Sequence, residues 1–181
     1  MISRPAQLIA FAALLAGTLW MMALLERQSA PLADNGGKQA SLELAPSAPA
    51  AQPIVEAWSH ADRGSLRDLA LDAIRLDYAF IALYSTTLAI AGFLGARFLR
   101  GGLARFGPWI GYGMWFAGLC DVLENLGMTA ELGGHYAVAP LVCVASATKW
   151  LLVLAGLAYG AATLAAMAVR WRRLIAWACG A

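Results

Sequence analysis

The chain has 181 residues, 61% of them hydrophobic and only 13% charged, with a formal net charge of +2. That charged fraction is about half of the roughly 25% usual in soluble domains, which excludes an ordinary soluble globule. Nucleic-acid binding is excluded as well, because the basic residues sit at the ends of apolar runs and no recognition motif accompanies them.

Apolar residues are gathered into four runs, 6–25, 78–96, 108–130 and 137–169. Each is near or above the roughly 20 residues that carry a helix across the hydrocarbon core. Alternating strand patterns are absent, which disfavours a β-barrel. The expected fold is all-α: four transmembrane helices in an antiparallel bundle, plus one short extracytoplasmic amphipathic helix. Residues 1–25 form an N-terminal anchor, 26–75 an outer tether and amphipathic helix, 76–169 a three-helix transmembrane bundle, and 170–181 a basic cytoplasmic tail.

The first run, "LIAFAALLAGTLWMMALL" after Arg4, also fits the n-region and apolar core of a secretory signal. Its core is long and "ERQSAPLA" offers no small-x-small cleavage site, so an uncleaved anchor is expected and cleavage stays open as the alternative. Next, "SAPLADNGGKQASLELAPSAPAAQP" is rich in Ala, Pro, Gly and Ser and reads as a tether, with "ASLELA" as its one short extended stretch. In "PIVEAWSHAD", Ile54, Val55, Trp58 and Ala61 fall at helical spacing and Gly64 ends the helix. One apolar side with a Trp suits the outer membrane surface or the outer ends of the spans.

Ser65 followed by Asp68 resembles a capping box, so a helix is expected to start there and run unbroken into the second span. Gly101 and Gly102 form the inner turn, Pro108 opens the third helix, and "ELGGHYAVAP" forms the outer turn. Connections this short make neighbouring helices antiparallel.

Arg4, then Arg97, Arg100 and Arg105, then Arg170, Arg172 and Arg173 flank the runs with no acidic residue among them. Segment 26–77 instead mixes five basic with eight acidic residues. By the excess of Arg and Lys in cytoplasmic loops, both termini lie in the cytoplasm and 26–77 lies outside, in a bacterial inner membrane. Cys120 and Cys143 fall within spans as small packing residues, and Cys179 faces the reducing side, so no disulfide framework is expected.

The third run carries the chemistry. Asp121, Glu124, Asn125 and Met128 fall at i, i+3, i+4 and i+7, one stripe of a helix. With about 1.5 Å per residue, Asp121 lies about 13 Å below an outer boundary near residue 130, and Lys149 about 16 Å in from a start near 138. The two are at matching depth on successive helices. Lys149 shares its stripe with Ala145, Ser146, Gly156 and Gly160, small residues that permit close approach, so the ammonium points inward. A lone charge at mid-bilayer costs on the order of 2.5 to 3.5 kcal/mol on insertion scales, which calls for a partner. Asp77, Tyr84 and Ser85 on the second helix complete a polar pocket that opens outward, with Arg75 at its mouth.

Two uses of this pocket stay open. As polar glue it fixes helix packing in an accessory or interaction protein whose 51–77 region meets a membrane-protein partner. As a site, it belongs to a membrane enzyme or carrier acting on an amphipathic, lipid-like molecule, with Asp121 or Glu124 as acid or base and Lys149 as charge partner. Asp77, Asp121, Glu124 and His135 fit no metal-binding spacing, and Ser85, Ser146 and Cys120 lack a nearby His base. No metal or cofactor is expected.

The order of "LELA", "IVEAW", "LDYAFIALY", "CDVLENLG" and "KW" resembles a group of small bacterial four-helix membrane proteins without an assigned activity. The resemblance covers most of the chain. It implies the same fold and no particular chemistry.

Overall fold

The computed structural model describes residues 4–35, 37–59 and 66–178, and among them every regular element is helical. The elements are α1 (Arg4–Ala33), α2 (Gln39–Glu43), α3 (Ala48–Ser59), α4 (Leu66–Phe98), α5 (Gly102–Leu132), a 3-10 turn (Tyr136–Val138) and α6 (Ala139–Ala178). Three stretches are long and apolar enough to cross a membrane: Ile9–Ala33, Leu66–Phe98 and Tyr136–Arg172. α5 is as long, at 31 residues. Its buried Asp121, Glu124 and Asn125 lower its apolarity on one side only, because Leu119, Leu123 and Leu126 are exposed around them. A helix that buries polar groups and exposes leucines is inverted relative to a soluble one, as hydrocarbon surroundings require.

α4 is the spine, packing on α1, α5 and α6. Its contact with α5 is set by glycine. A Cβ on Gly92 would sit 2.8 Å from the Gly111 backbone nitrogen, and one on Gly118 3.0 Å from the Ser85 Cβ. These backbones meet because no side chain stands between them. Of the two glycines on the Lys149 stripe, only Gly156 is closely packed: a Cβ there would collide with the Met114 side chain on α5, whereas Gly160 faces open space. α1 is fastened to α4 by the Thr18 and Thr87 hydroxyls, 3.0 Å apart.

The unbroken α4 matches expectation, while the outer segment does not. "ASLELA" is helical over Gln39–Glu43, and the next helix starts at Ala48 with Pro53 inside it. Neither is loose: Leu42, Ala45, Ala51, Val55 and Trp58 are buried together with Leu32, Ile74, Met128, Leu132 and Val142. The tether composition predicted otherwise because short helices lacking their own core are decided by tertiary burial, not local propensity. Trp58 is correspondingly a core residue at 0% exposure rather than an interfacial anchor. α5 begins at Gly102, so Pro108 lies within the helix and not at its first position. The chain leaves α5 through a turn in which the His135 amide donates to the Ala130 carbonyl (2.9 Å), and Gly134 supplies a φ of 89°. The Gly64 stop, the Ser65 cap, His60 and Cys179 lie outside the described residues.

This second core makes residues 39–59 a lid on the bundle. Trp58→Ala is expected to cost about 3–5 kcal/mol, the range for truncating a fully buried aromatic, and to open residues 48–59 to added protease. Protease resistance equal to that of the wild type contradicts this packing.

Candidate functional site

Acids from α2 and α5 meet Lys149 on α6, whose residue is 8% exposed. The position on α6 follows from the small residues on its stripe, since Ala145 and Ser146 beside it are buried. The ammonium donates to Glu124 Oε1 at 2.7 Å and to Asp121 Oδ1 at 3.0 Å. Both acids come from one face of α5, as the i, i+3 spacing requires. Tyr84 Oη on α4 donates to the second oxygen of Asp121, Oδ2, at 2.8 Å. One turn further along α5, Asn125 Nδ2 donates to Asp77 Oδ2 at 2.7 Å. The predicted pairing of Asp121 with Lys149 is therefore present, Tyr84 and Glu124 join it in one network, and Asn125 with Asp77 forms a separate pair one turn along α5.

Two predicted members stand apart. Ser85 is buried, but its hydroxyl donates to its own helix, to the Ile81 carbonyl at 2.6 Å. Ser146 is buried with no hydrogen-bond partner for its Oγ. Arg75 does not offset the cluster: it is exposed and paired with Asp72 at 2.7 Å, three residues earlier on the same helix surface. Glu131, expected in a loop, ends α5 at 0% exposure, and neither of its carboxylate oxygens has a partner.

The residue that sequence reasoning missed is Glu43. It closes the short α2, and its Oε2 stands 3.8 Å from Lys149 Nζ. The signal was an acid between Leu42 and Leu44 in a segment otherwise poor in large apolar residues. Burial pushes the Glu43 carboxyl above the usual glutamate range, Lys149 pulls it back only in part, and Asp121 pushes it up again. The apolar contacts of Leu42 and Ala45 bring α2 to the bundle, and Lys149 makes the arrival of an acid there tolerable.

Beside the cluster lies a partly open cleft of about 690 Å³ between α1, residues 38–43, α4 and α6. Glu43 and Asp77 line it; Asp121, Glu124 and Lys149 lie behind them. Glu124 Oε2 and Asn125 Oδ1 are buried without partners. Among the described residues, no three His, Cys, Asp or Glu side chains are grouped so as to hold a metal ion. The arrangement can neutralise charge, fix helix positions and hold a proton; a nucleophile paired with a base is not among its parts.

Comparison with protein-family models, with curated proteins and with solved structures finds no match to this chain.

Removing the ammonium strands its acids. Lys149→Met is expected to destabilise the protein by about 3–5 kcal/mol, as for breaking one side of a buried ion pair. Adding Glu124→Gln to Lys149→Met is expected to recover part of that loss, measured by unfolding in detergent. Losses that simply add contradict the direct contact.

Proposed function

We propose that this chain is a four-span protein of a bacterial inner membrane, with both termini cytoplasmic, serving as a non-catalytic accessory protein. Its buried cluster fixes the bundle and its outer lid, and residues 51–77 meet a membrane-protein partner. The observation that carries this is the Glu43 contact with Lys149: a charge inside the bundle is shared with the outer segment. The network ties together the parts of a scaffold and leaves no paired nucleophile and base.

Inclusion of α5 as a span is supported by its exposed leucines and by its place against both α4 and α6. An antiparallel arrangement is supported by the reversed order of pairs along α4 and α5: Asp77 with Asn125, Tyr84 with Asp121, Gly92 with Gly111. The seven flanking arginines support the orientation. Gln52, Glu56, Arg67 and Asp72 are exposed on the lid and the start of α4, so the partner surface is polar and charged. Contact there depends on fit and charge pairing more than on apolar burial.

A second reading, an enzyme or carrier for an amphipathic molecule, is favoured by the cleft that reaches Glu43 and Asp77. It asks Asp121 or Glu124 to act as acid or base with Lys149 tuning them. Neither acid lines the cleft, which ranks this reading second.

In the host membrane, Asp121→Asn and Lys149→Met are expected to lower protein level and host phenotype together. A photo-crosslinker at Glu56 is expected to give a membrane-protein adduct that Lys149→Met abolishes. In a cysteine-free background, His135→Cys reacts with impermeant maleimide in intact spheroplasts and Arg100→Cys only after permeabilisation. Phenotype lost at unchanged protein level overturns the accessory role in favour of the second reading; the opposite labelling pattern overturns the orientation.

A further inference from the structure

The cleft beside the cluster is graded along its length. On α1, Met22, Leu25, Glu26, Ser29, Ala30 and Ala33 line it at the spacing of a single helix stripe, large and apolar at Met22 and Leu25, then polar at Glu26 and Ser29 and small at Ala30 and Ala33. On α4 the gradient runs the same way, from Phe80 to Asp77, three residues or about 4.5 Å apart along the helix. Trp150 on α6 adds a second aromatic surface. Four acids, Glu26, Asp34, Glu43 and Asp77, line the cleft against one lining base, Lys38. Asp77 is engaged by Asn125 through Oδ2, and Glu43 shares the Lys149 ammonium, at 3.8 Å, with Asp121 and Glu124, so the lining acids outside these contacts are Glu26 and Asp34.

We propose that this cleft binds an amphipathic cation: a molecule with an alkyl or similarly apolar body and a protonated or quaternary amine. The volume, about 690 Å³, lies within the range of small-molecule sites. The excess of acid over base rejects an anionic headgroup, and the apolar end takes the body of the ligand. Phe80 offers an aromatic face, which attracts cations as well as alkyl chains, while one face of Trp150 already carries the Lys149 ammonium, 5.5 Å from the ring centroid. The bilayer surrounding the site holds amphiphiles at high local concentration, so the amine belongs either to a lipid headgroup or to a free amphipathic amine. The site stands beside the Lys149 network and does not require the lid to have a protein partner.

The test uses the full chain in nanodiscs of phosphatidylglycerol with three probes of equal chain length: dodecylamine, dodecanol and dodecanoate. Saturable binding of one dodecylamine per chain is expected, with dodecanol weaker and dodecanoate absent. Ala30→Trp, which fills the cleft from the exposed α1 stripe, is expected to abolish binding at an unchanged unfolding midpoint. Glu26→Gln with Asp34→Asn, both exposed and outside the Lys149 network, is expected to weaken dodecylamine roughly tenfold, the sum for two partly exposed ion contacts. Nanodiscs of phosphatidylethanolamine that displace dodecylamine assign the site to a lipid headgroup; undiminished binding there assigns it to a free amine. Dodecanoate binding as tightly as dodecylamine, or dodecylamine binding unaffected by Ala30→Trp, overturns the proposal. Neither result bears on the accessory role, which is read from protein level and crosslinking.

Discussion

The structure depends on one buried ammonium. Lys149 stands in the interior of an apolar bundle, where an uncompensated charge is expensive. Its two short contacts, to Glu124 and Asp121, fix the rotation of α5 against α6. Through Tyr84 the same network fixes α4, and through Glu43 it reaches a segment outside the bundle. The glycine contacts of α4 with α5 make this possible, because polar side chains of ordinary length meet only where backbones come close.

More acid is gathered than one lysine neutralises. Hydrogen bonding handles part of the excess: Tyr84 donates to Asp121, and Asn125 to Asp77. Glu43 handles another part, since burial favours its protonated form and Lys149 only partly offsets this. An ionic cluster of this kind adds less stability than specificity, because desolvation consumes much of the Coulomb gain. Its value here is positional: it specifies which faces of α4, α5 and α6 meet, and where the lid sits.

Much of this was legible in the sequence. Asp121, Glu124 and Asn125 at helical spacing inside an apolar run can only face protein, and equal depth made Lys149 the partner of Asp121. Continuity of α4 through "SLRDLALDAIRLDYAF" was legible because nothing in it breaks a helix. The lid was not legible. Leu42, Ala45, Ala51 and Val55 are spread through Ala- and Pro-rich sequence whose local signal is that of a linker, and their burial is decided by surfaces supplied by α1, α4, α5 and α6. Glu43 was hidden for the same reason, as its partner lies 106 residues away on another helix. Trp58 suited a headgroup position by residue type alone, and only the lid's packing places it in a core. The hydroxyls of Ser85 and Ser146 share the expected helix faces but not the network: Ser85 satisfies itself on the preceding turn, as a serine in a helix can, and the Ser146 hydroxyl is buried without a partner.

Glu43 on the lid and Lys149 in the bundle are neighbours, 3.8 Å apart. Spin labels at Ala40 and Val144, both exposed, in a background with the native cysteines replaced by alanine, report the position of the lid in nanodiscs by double electron–electron resonance. One short, narrow distance distribution is expected for the wild type and for Glu43→Gln. Glu43→Lys sets two ammonium groups against each other and broadens that distribution toward longer distances. A Glu43→Lys distribution as short and narrow as the wild type's would contradict the account.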